Sequence, residues 1–220
     1  MWKRWLSKML LLLVLSFATF GIAIACPPQQ TNSFQFLQTA LATPDWQEGD
    51  RLTRDLISDE IAASPYYYDN HELDRLSCQT IQHINDLWQA ASDGQFGWRS
   101  QLAIWQQEQV PGDLRKTVEN FRDRVGWQRS EPLTEEQAFS LQFDRDWRSQ
   151  LDLNYSLEAP VGHLPWAGIS QDFINDLLSQ DGPSCGSCTI DAFHLQSERF
   201  YYYLPPLFAR LEDCLGSGQL

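Results

Sequence analysis

Apolar residues recur at helical spacing along most of this chain. In residues 34–61 and again in residues 72–91, hydrophobic side chains return about every three or four positions, as they do on the buried face of an amphipathic helix. Pro44 with Asp45 is typical of a helix start, and Pro111 with Gly112 is typical of a helix end. Strand-like alternation is confined to residues 139–143. The pattern predicts a mainly α, compact multi-helix domain with long loops.

The last third of the chain has a looser pattern. Prolines and glycines interrupt residues 160–168, and a short helix is predicted at residues 173–178. Two closing segments, 200–204 and 207–215, are also predicted to be helical. Pro205 and Pro206 separate them, because proline lacks the backbone N–H that a helix interior uses.

The first 25 residues have the pattern of a secretory signal peptide. Lys3, Arg4 and Lys8 precede an uncharged apolar run at residues 9–24, which ends in small residues before Cys26. We assign residues 1–25 to this signal, residues 26–33 to a polar tether and residues 34–220 to the helical domain. The small residues before Cys26 also resemble a bacterial lipobox, so Cys26 is a lipidation candidate that would anchor the chain to a membrane. Ordinary cleavage and an uncleaved N-terminal anchor are the alternatives.

The chain is strongly acidic. Its formal net charge is −13, and removal of the three basic residues of the leader takes it to −16. Such a surface repels phosphates, and no basic stripe offsets the repulsion, so we expect no nucleic-acid partner. The leader predicts that the domain is exported to the periplasmic or lumenal side of a membrane.

Four cysteines follow Cys26, and their even number in an exported domain favours disulfides. They are Cys78, Cys185, Cys188 and Cys214, and the sequence leaves all three possible pairings open. Cys185 and Cys188 form a CxxC motif, which occurs in thiol–disulfide enzymes. The turn-forming residues around it and the lack of a βαβ pattern favour a structural cross-link instead. A zinc site would need further ligands at suitable spacing, and the sequence offers none.

Catalytic motifs are absent from the sequence. It contains no glycine-rich phosphate loop, no nucleophile elbow and no zinc-protease motif. Its histidines share no ligand spacing; they are His71, His83, His163 and His194. The nine tryptophans suggest either a large aromatic core or a flat apolar ligand site. We therefore expect a binding protein that is not an enzyme.

Several short motifs, taken in order, resemble the GUN4 family. They are Asp45-Trp46 with Asp50 and Thr53, Cys78 with NDLW at 85–88, SDGQFGW at 92–98, VGW at 125–127, APVGHLP at 159–165 and RLEDC at 210–214. The resemblance covers residues 38–214. The combination in this order is more specific than any one motif.

This resemblance implies a mostly helical fold shaped like a cupped hand that binds porphyrins, chiefly protoporphyrin IX or Mg-protoporphyrin IX. Family members in chlorophyll synthesis deliver porphyrin to magnesium chelatase and are not enzymes. Magnesium chelatase works on the cytoplasmic side, whereas this chain carries an export signal. Contact with the chelatase is therefore not expected here.

The candidate ligand-binding residues lie in two glycine-bearing segments and late in the chain. Phe96 and Trp98 belong to the first segment, and Trp166 follows GHLP in the second. Bulky rings there are suited to the faces of a porphyrin, whereas Arg99 and Arg210, or Arg199, are suited to its carboxylates. The alternative is that the rings pack onto the core and that Arg99 pairs with a nearby carboxylate. Trp46, Trp88 and Trp127 are predicted to be core residues.

Four positions depart from the family pattern. Asn85 stands where the family has Asp, Gln95 where it has Arg, Trp98 where it has Phe, and Gln89 where an apolar residue is expected. The sequence thus supports an exported tetrapyrrole carrier or sensor as the first hypothesis. A ligand-free protein-interaction module on the same fold is the second, and a CxxC thiol–disulfide protein is the third.

Overall fold

The computed structural model describes residues 30–61, 72–141, 144–172, 174–175 and 188–216. Within these ranges the regular structure is helical, in the order α1 (Gln30–Ala42), α2 (Trp46–Ile61), α3 (Cys78–Ser92), α4 (Trp98–Gln107), α5 (Leu114–Arg124), α6 (Glu135–Leu141) and α7 (Cys188–Leu215). Two 3-10 turns, Leu73–Arg75 and Gln150–Asp152, complete it. The only β contact in the described ranges is an isolated bridge between Gln128 and Trp147. The predicted mainly helical fold is confirmed.

Helix α1 begins at Gln30, so residues 30–33, which the sequence analysis assigned to a polar tether, are helical. The predicted signal at residues 1–25 and the lipidation candidate Cys26 lie outside the described residues. In the part of the chain that the structure describes, no helix is both long and apolar enough to cross a bilayer.

Helices α2 and α3 begin where short polar side chains cap them. The Asp45 carboxylate accepts a hydrogen bond from the Glu48 N–H at 3.2 Å, and the Ser77 hydroxyl accepts one from the Thr80 N–H at 3.1 Å. Each acceptor satisfies an N–H that has no partner within the helix. Asp93 ends α3 in the left-handed conformation with φ of 52°. The caps at Asp45 and Ser77 therefore mark where α2 and α3 begin, and Asp93 marks where α3 ends.

Helix α7 corrects the prediction of two closing segments. It runs as one helix from Cys188 to Leu215 and includes Pro205 and Pro206. Large apolar residues on both sides of the prolines are fully buried, among them Leu204 and Phe208. Burial of this face compensates for the hydrogen bonds that the two prolines cannot donate, and local sequence rules do not include such tertiary packing.

Aromatic rings form much of the core. Every tryptophan in the described residues is at least nine-tenths buried: Trp46, Trp88, Trp98, Trp105, Trp127, Trp147 and Trp166. The Trp105 and Phe208 rings stack with centroids 4.4 Å apart, which fixes α7 against α4. The prediction that Trp46, Trp88 and Trp127 are core residues is confirmed.

One disulfide joins the first residue of α3 to the last turn of α7. Cys78 and Cys214 are bonded, with Cα atoms 5.0 Å apart. This result selects one pairing of the three that the sequence left open. Cys185 and the side chain of Cys188 lie outside the described residues. The bond closes a loop across a sequence separation of 136, so it constrains most of the domain.

Candidate functional site

The two glycine-bearing segments, residues 94–98 and 162–168, lie side by side. The Gly97 N–H donates to the Leu164 carbonyl at 2.9 Å, and the Gly162 N–H donates to the Gln95 carbonyl at 2.8 Å. Gln101 of α4 adds two hydrogen bonds from its side-chain amide, to the carbonyls of Gly162 and Pro165. Segments that are far apart in sequence are thus held together at the start of α4.

Glycine is required at position 97 by both conformation and space. Its φ is 110°, and a Cβ there would lie 3.0 Å from Gln89 Nε2 and 3.2 Å from Trp88 Cβ. Gly97 has no side chain with which to cap α4, so Asn85 of α3 supplies the acceptor. Asn85 Oδ1 accepts from the Arg99 N–H at 2.9 Å. A neutral Asn therefore suffices where the family has Asp.

Trp98 and Trp166 line one cavity, as their positions in the two segments suggested. Helix α2 contributes three residues to its wall, and α7 contributes three more. The full lining is Thr53, Arg54, Ile57, Trp98, Pro165, Trp166, Ala167, Gly168, Arg199, Tyr203 and Leu207. Its volume is about 20 Å³, which is enough for about one water molecule. The structure therefore brings the two indoles together in a closed arrangement, with exposures of only 3% and 5%.

A buried carboxylate links α2 to the loop that carries Trp166. Asp50 is completely buried, and its Oδ1 accepts from the Trp166 N–H at 2.7 Å. Its Oδ2 accepts from Arg54 Nη1 at 2.8 Å, one helical turn further along α2. One acidic side chain thus holds both the loop and the guanidinium at the edge of the cavity. A charge this deeply buried requires such partners.

Two hydrogen-bond donors in the cavity wall are buried without an acceptor among the described residues. They are Arg54 Nη2 and Trp166 Nε1. Buried polar atoms are nearly always satisfied in proteins, and an unsatisfied donor costs about 1–3 kcal/mol. An acceptor from a ligand or a water molecule would satisfy both.

The charged residues that line the cavity are both arginines, Arg54 and Arg199. The Arg199 guanidinium lies 4.1 Å from the centroid of the Tyr203 ring, and its Nε donates to the Ala167 carbonyl at 3.4 Å. No carboxylate belongs to the described lining, although the chain as a whole carries a net charge of −13. The wall is thus aromatic and bears two guanidinium groups, of which that of Arg54 is paired with the Asp50 carboxylate behind it.

Phe96, predicted from the sequence to contact the ligand, does not line this cavity. Its ring is fully buried in the core, 5.4 Å from the Trp46 ring centroid in an edge-to-face contact. The Phe96 N–H donates to the Ser92 hydroxyl at 2.9 Å, which turns the residue inward. Because glycines flank Phe96 in the sequence, the residue was predicted to lie in a loop with its ring directed outward.

Arg99 and Arg210, predicted from the sequence to bind the ligand, are also absent from the wall of this cavity. Arg99 is exposed, and its Nη1 donates to the Leu215 carbonyl at 3.4 Å. Arg210 donates from Nε and Nη2 to the Leu76 carbonyl at 3.0 and 2.8 Å. Both arginines therefore stabilise the last turns of α7. Arg199, named as an alternative from the sequence, does line the cavity.

The two glutamines that depart from the family pattern have structural partners. Gln89 donates through Nε2 to the Phe96 carbonyl and the Ser100 hydroxyl, each at 2.8 Å. Gln95 donates through Nε2 to the carbonyls of Leu157 and Ala159, each at 2.7 Å. Neither amide lines the cavity, so neither reduces its apolar character.

Arg54 is the residue that sequence reasoning missed. An Asp and an Arg four positions apart in a helix are usually an exposed ion pair. One feature of the sequence did indicate burial: Asp50 and Arg54 alternate with the apolar residues Leu52 and Leu56.

His163 of the GHLP segment is a structural residue. Its Nδ1 lies 2.7 Å from the Val125 carbonyl, so Nδ1 carries the proton, and its Nε2 accepts from the Asn154 N–H at 3.2 Å. Burial lowers the pKa of His163, because a charged imidazolium would lose its hydration. Its main-chain carbonyl accepts from Trp127 Nε1 at 2.8 Å, which joins the GHLP and VGW motifs.

Two larger grooves on the described surface lack the paired indoles. One of about 360 Å³ lies beside Arg129, Arg148 and His163, and another of about 580 Å³ lies beside Glu48, Arg51 and Asp172. Neither groove has a Trp, Tyr or Phe ring in its wall that could stack on a flat ligand. Within the described ranges, no group of three or more His, Cys, Asp or Glu side chains could hold a metal ion.

The described residues define an all-α domain with an aromatic, arginine-bearing cavity between helices, which is a usual position for a small-molecule site. The family model described as GUN4-like matches residues 28–179. The chain therefore belongs to the GUN4-like family.

One curated protein and two solved structures are similar to this chain. The tetrapyrrole-binding protein, chloroplastic, of Arabidopsis thaliana is 28% identical over 135 residues, which are 60% of this chain and 47% of that protein. The chain thus spans about half the length of this curated relative. GUN4 from Chlamydomonas reinhardtii has a TM-score of 0.45 and 23% identity, over 60% of this chain and 79% of that one. The ligand-free structure of Arabidopsis thaliana GUN4 has a TM-score of 0.46 and 19% identity, over 80% of this chain and 94% of that one.

Proposed function

We propose that this chain is an exported tetrapyrrole-binding protein that acts as a non-catalytic carrier or sensor. The observation that carries the proposal is the convergence of Trp98 and Trp166 in one cavity whose charged lining is Arg54 and Arg199. Family membership and the printed name of the Arabidopsis relative, a tetrapyrrole-binding protein, point to the same ligand class.

The chemistry of the wall matches that of a porphyrin. A porphyrin is a flat apolar disc with carboxylates at one edge, so it needs aromatic faces and a few cations at the rim. The two indoles and the apolar side chains of Ile57 and Leu207 provide the apolar faces, and the two arginines provide the cations at the rim. Protoporphyrin IX and Mg-protoporphyrin IX are the ligands that the family resemblance favours.

Binding of a whole macrocycle requires the site to open. A volume of about 20 Å³ is far below the roughly 300–1,000 Å³ of an ordinary ligand pocket. The loop at residues 165–168 is the part of the wall that we expect to move, since it is not helical, and its movement must break the hydrogen bonds from the Trp166 N–H to Asp50 and from Gln101 to the Pro165 carbonyl. Its displacement would uncover the Trp166 ring and the face of Trp98.

Export is the second part of the proposal. The basic and apolar leader supports it, and so does the Cys78–Cys214 disulfide, since such bonds persist in oxidising compartments. We propose a periplasmic or lumenal location with lipidation of Cys26 as a membrane anchor. The mass of the N-terminal peptide from cells tests this, and an unmodified Met1 in a cytoplasmic fraction would contradict it.

Titration of the full chain with protoporphyrin IX in mild detergent tests ligand binding. We expect saturable quenching of tryptophan fluorescence at micromolar porphyrin. Replacement of either indole, as in Trp98→Leu or Trp166→Leu, should weaken binding roughly two- to tenfold, because one aromatic contact is lost. Tyr202→Leu is the matched control, since Tyr202 is an aromatic residue on α7 that is 68% exposed and does not line the cavity. Unquenched fluorescence throughout the titration would end the proposal.

A ligand-free protein-interaction module is the second candidate function. The observation that favours it is the burial of both indoles around so small a cavity. In that case Trp98 and Trp166 serve the core, and both Leu variants should lower the melting temperature without any effect on porphyrin. The CxxC alternative depends on Cys185 and the Cys188 side chain, which lie outside the described residues.

A further inference from the structure

We infer that α1 is the side of this domain that meets the membrane, and that its outer face lies against the lipid headgroups. This outer face consists of the exposed residues Gln35, Phe36, Gln38, Thr39 and Ala42. The inference rests on the membrane anchor proposed above, and it adds the surface through which the anchored domain contacts the bilayer.

The first step of the argument is charge. Among the described helices, α1 alone contains no Asp, Glu, Lys or Arg. The exposed face of α2, by comparison, carries Arg51, Asp55 and Asp59. The net charge of the chain is −13, and the anionic lipids of a membrane surface repel such a protein. The uncharged outer face of α1 therefore approaches a bilayer at the lowest electrostatic cost.

The second step is the exposure of Phe36. Its side chain is 62% exposed, although other residues already hold α1 on the domain. Leu37 and Leu41 are fully buried, and the Phe34 ring stacks on His83 of α3 with centroids 4.4 Å apart. The Phe36 ring thus takes little part in the core, and its exposed apolar surface can insert among lipid headgroups.

The third step is the state of the hydroxyl groups beside Phe36. The Thr39 hydroxyl donates to the Gln35 carbonyl at 2.8 Å, and the Thr43 hydroxyl donates to the Thr39 carbonyl at 3.0 Å. Both hydroxyl protons are therefore satisfied within the chain. The headgroup region need not supply acceptors for them, so the outer face loses little hydrogen bonding when it leaves water.

The fourth step is the distance from the anchor. Residues 27–29 alone separate the lipidation candidate Cys26 from Gln30, where α1 begins, and the apolar run of the leader ends at residue 24. The chain from Cys26 to Gln30 can span at most about 14 Å. An anchor at this distance raises the effective concentration of the outer face at the bilayer, so a contact that is weak by itself suffices.

The proposed membrane contact uses a surface other than the cavity wall. Helix α2 presents Thr53, Arg54 and Ile57 to the cavity, whereas no residue of α1 belongs to the described lining. Helix α1 packs instead where Leu41 meets Gly49 of α2. Contact with lipid and binding of a tetrapyrrole therefore do not compete for the same side chains.

Quenching of a fluorescent residue by spin-labelled lipid tests the inference on the full chain in vesicles of phosphatidylcholine with a minor fraction of phosphatidylglycerol. Dansylalanine replaces Phe36 in one sample and Tyr202 in the other. Tyr202 is the matched control, because it is 68% exposed and lies on α7, which packs against α3, α4 and α5. Phosphatidylcholine with a headgroup nitroxide in both leaflets should quench the dansyl group several-fold more strongly at position 36 than at position 202.

A charge on the outer face should weaken this quenching. Gln35→Glu places a carboxylate among the uncharged residues of α1, and we expect it to reduce the quenching at position 36. Gln47→Glu places the same charge on α2 beside Glu48 and Arg51, so it should leave the quenching unchanged. Gln35 and Gln47 are both exposed, and circular dichroism melting checks that both variants are folded.

The outcomes separate this inference from the proposed anchor. Equal quenching at positions 36 and 202 of the vesicle-bound chain would overturn the inference and leave the anchor intact, as would quenching at position 36 that Gln35→Glu does not change. Blue-shifted dansyl emission at position 36 without quenching would also overturn it, because protein, such as a second copy of the chain, would then cover the face. A chain that stays out of membranes altogether would remove the anchor and this inference together.

Discussion

At the scale of single residues, buried polar side chains position the loops of this domain. Asn85 caps α4 from a neighbouring helix, Gln101 holds the 162–165 turn, and Asp50 holds the Trp166 loop. Each satisfies backbone groups that regular structure leaves unpaired. Because these contacts are buried, the loss of one partner leaves the other unsatisfied, which costs about 1–3 kcal/mol.

His163 gives a pH-dependence of stability whose sign follows from its lowered pKa. The unfolded chain takes up a proton on this imidazole near the ordinary His pKa of about 6.5, whereas the folded chain does so only at lower pH. Its contribution to stability is therefore lost as pH falls below about 6.5. Denaturant unfolding at pH 7.5 and 5.5 should show a smaller pH effect for His163→Gln than for the wild-type chain. A larger effect in the variant would contradict this account.

At the scale of elements, α7 connects the cavity to the rest of the domain. Its middle turns supply Arg199, Tyr203 and Leu207 to the cavity wall, and its last turn carries Cys214. Between them Phe208 stacks on Trp105 of α4. The position of α7 therefore depends on packing and on one covalent bond, which together outweigh the helix-breaking tendency of Pro205 and Pro206.

The disulfide should account for a measurable part of this stability. Reduction, or the variant Cys78→Ser/Cys214→Ser, should lower the free energy of unfolding by about 2–4 kcal/mol, since the bond closes a long loop in the unfolded chain. Denaturant titration with and without reductant measures the change. Peptide mapping of the unreduced protein provides the control, and a Cys78 peptide linked to Cys185 or Cys188 would contradict the pairing.

At the scale of the whole molecule, local rules predicted the helices and much of the core but not the cavity. Trp46, Trp88 and Trp127 were predictable because they follow the apolar period of their helices or end them. The burial of Phe96 was not predicted, because a position between glycines does not reveal whether a ring packs into the core. Arg54 was missed because its environment depends on Trp166, whose contact with Asp50 spans a sequence separation of 116. Tertiary contacts of this kind have no local signature.

The central claim is that a tetrapyrrole binds against the indoles of Trp98 and Trp166. Nitrogen-15 NMR spectra of the indole N–H groups test it directly, because the porphyrin ring current shifts only those indoles that lie against the macrocycle. On saturation with protoporphyrin IX, we expect large shifts for Trp98 and Trp166 and small ones for the core residues Trp46 and Trp127. Shifts confined to other tryptophans, or an unchanged spectrum, would contradict the account.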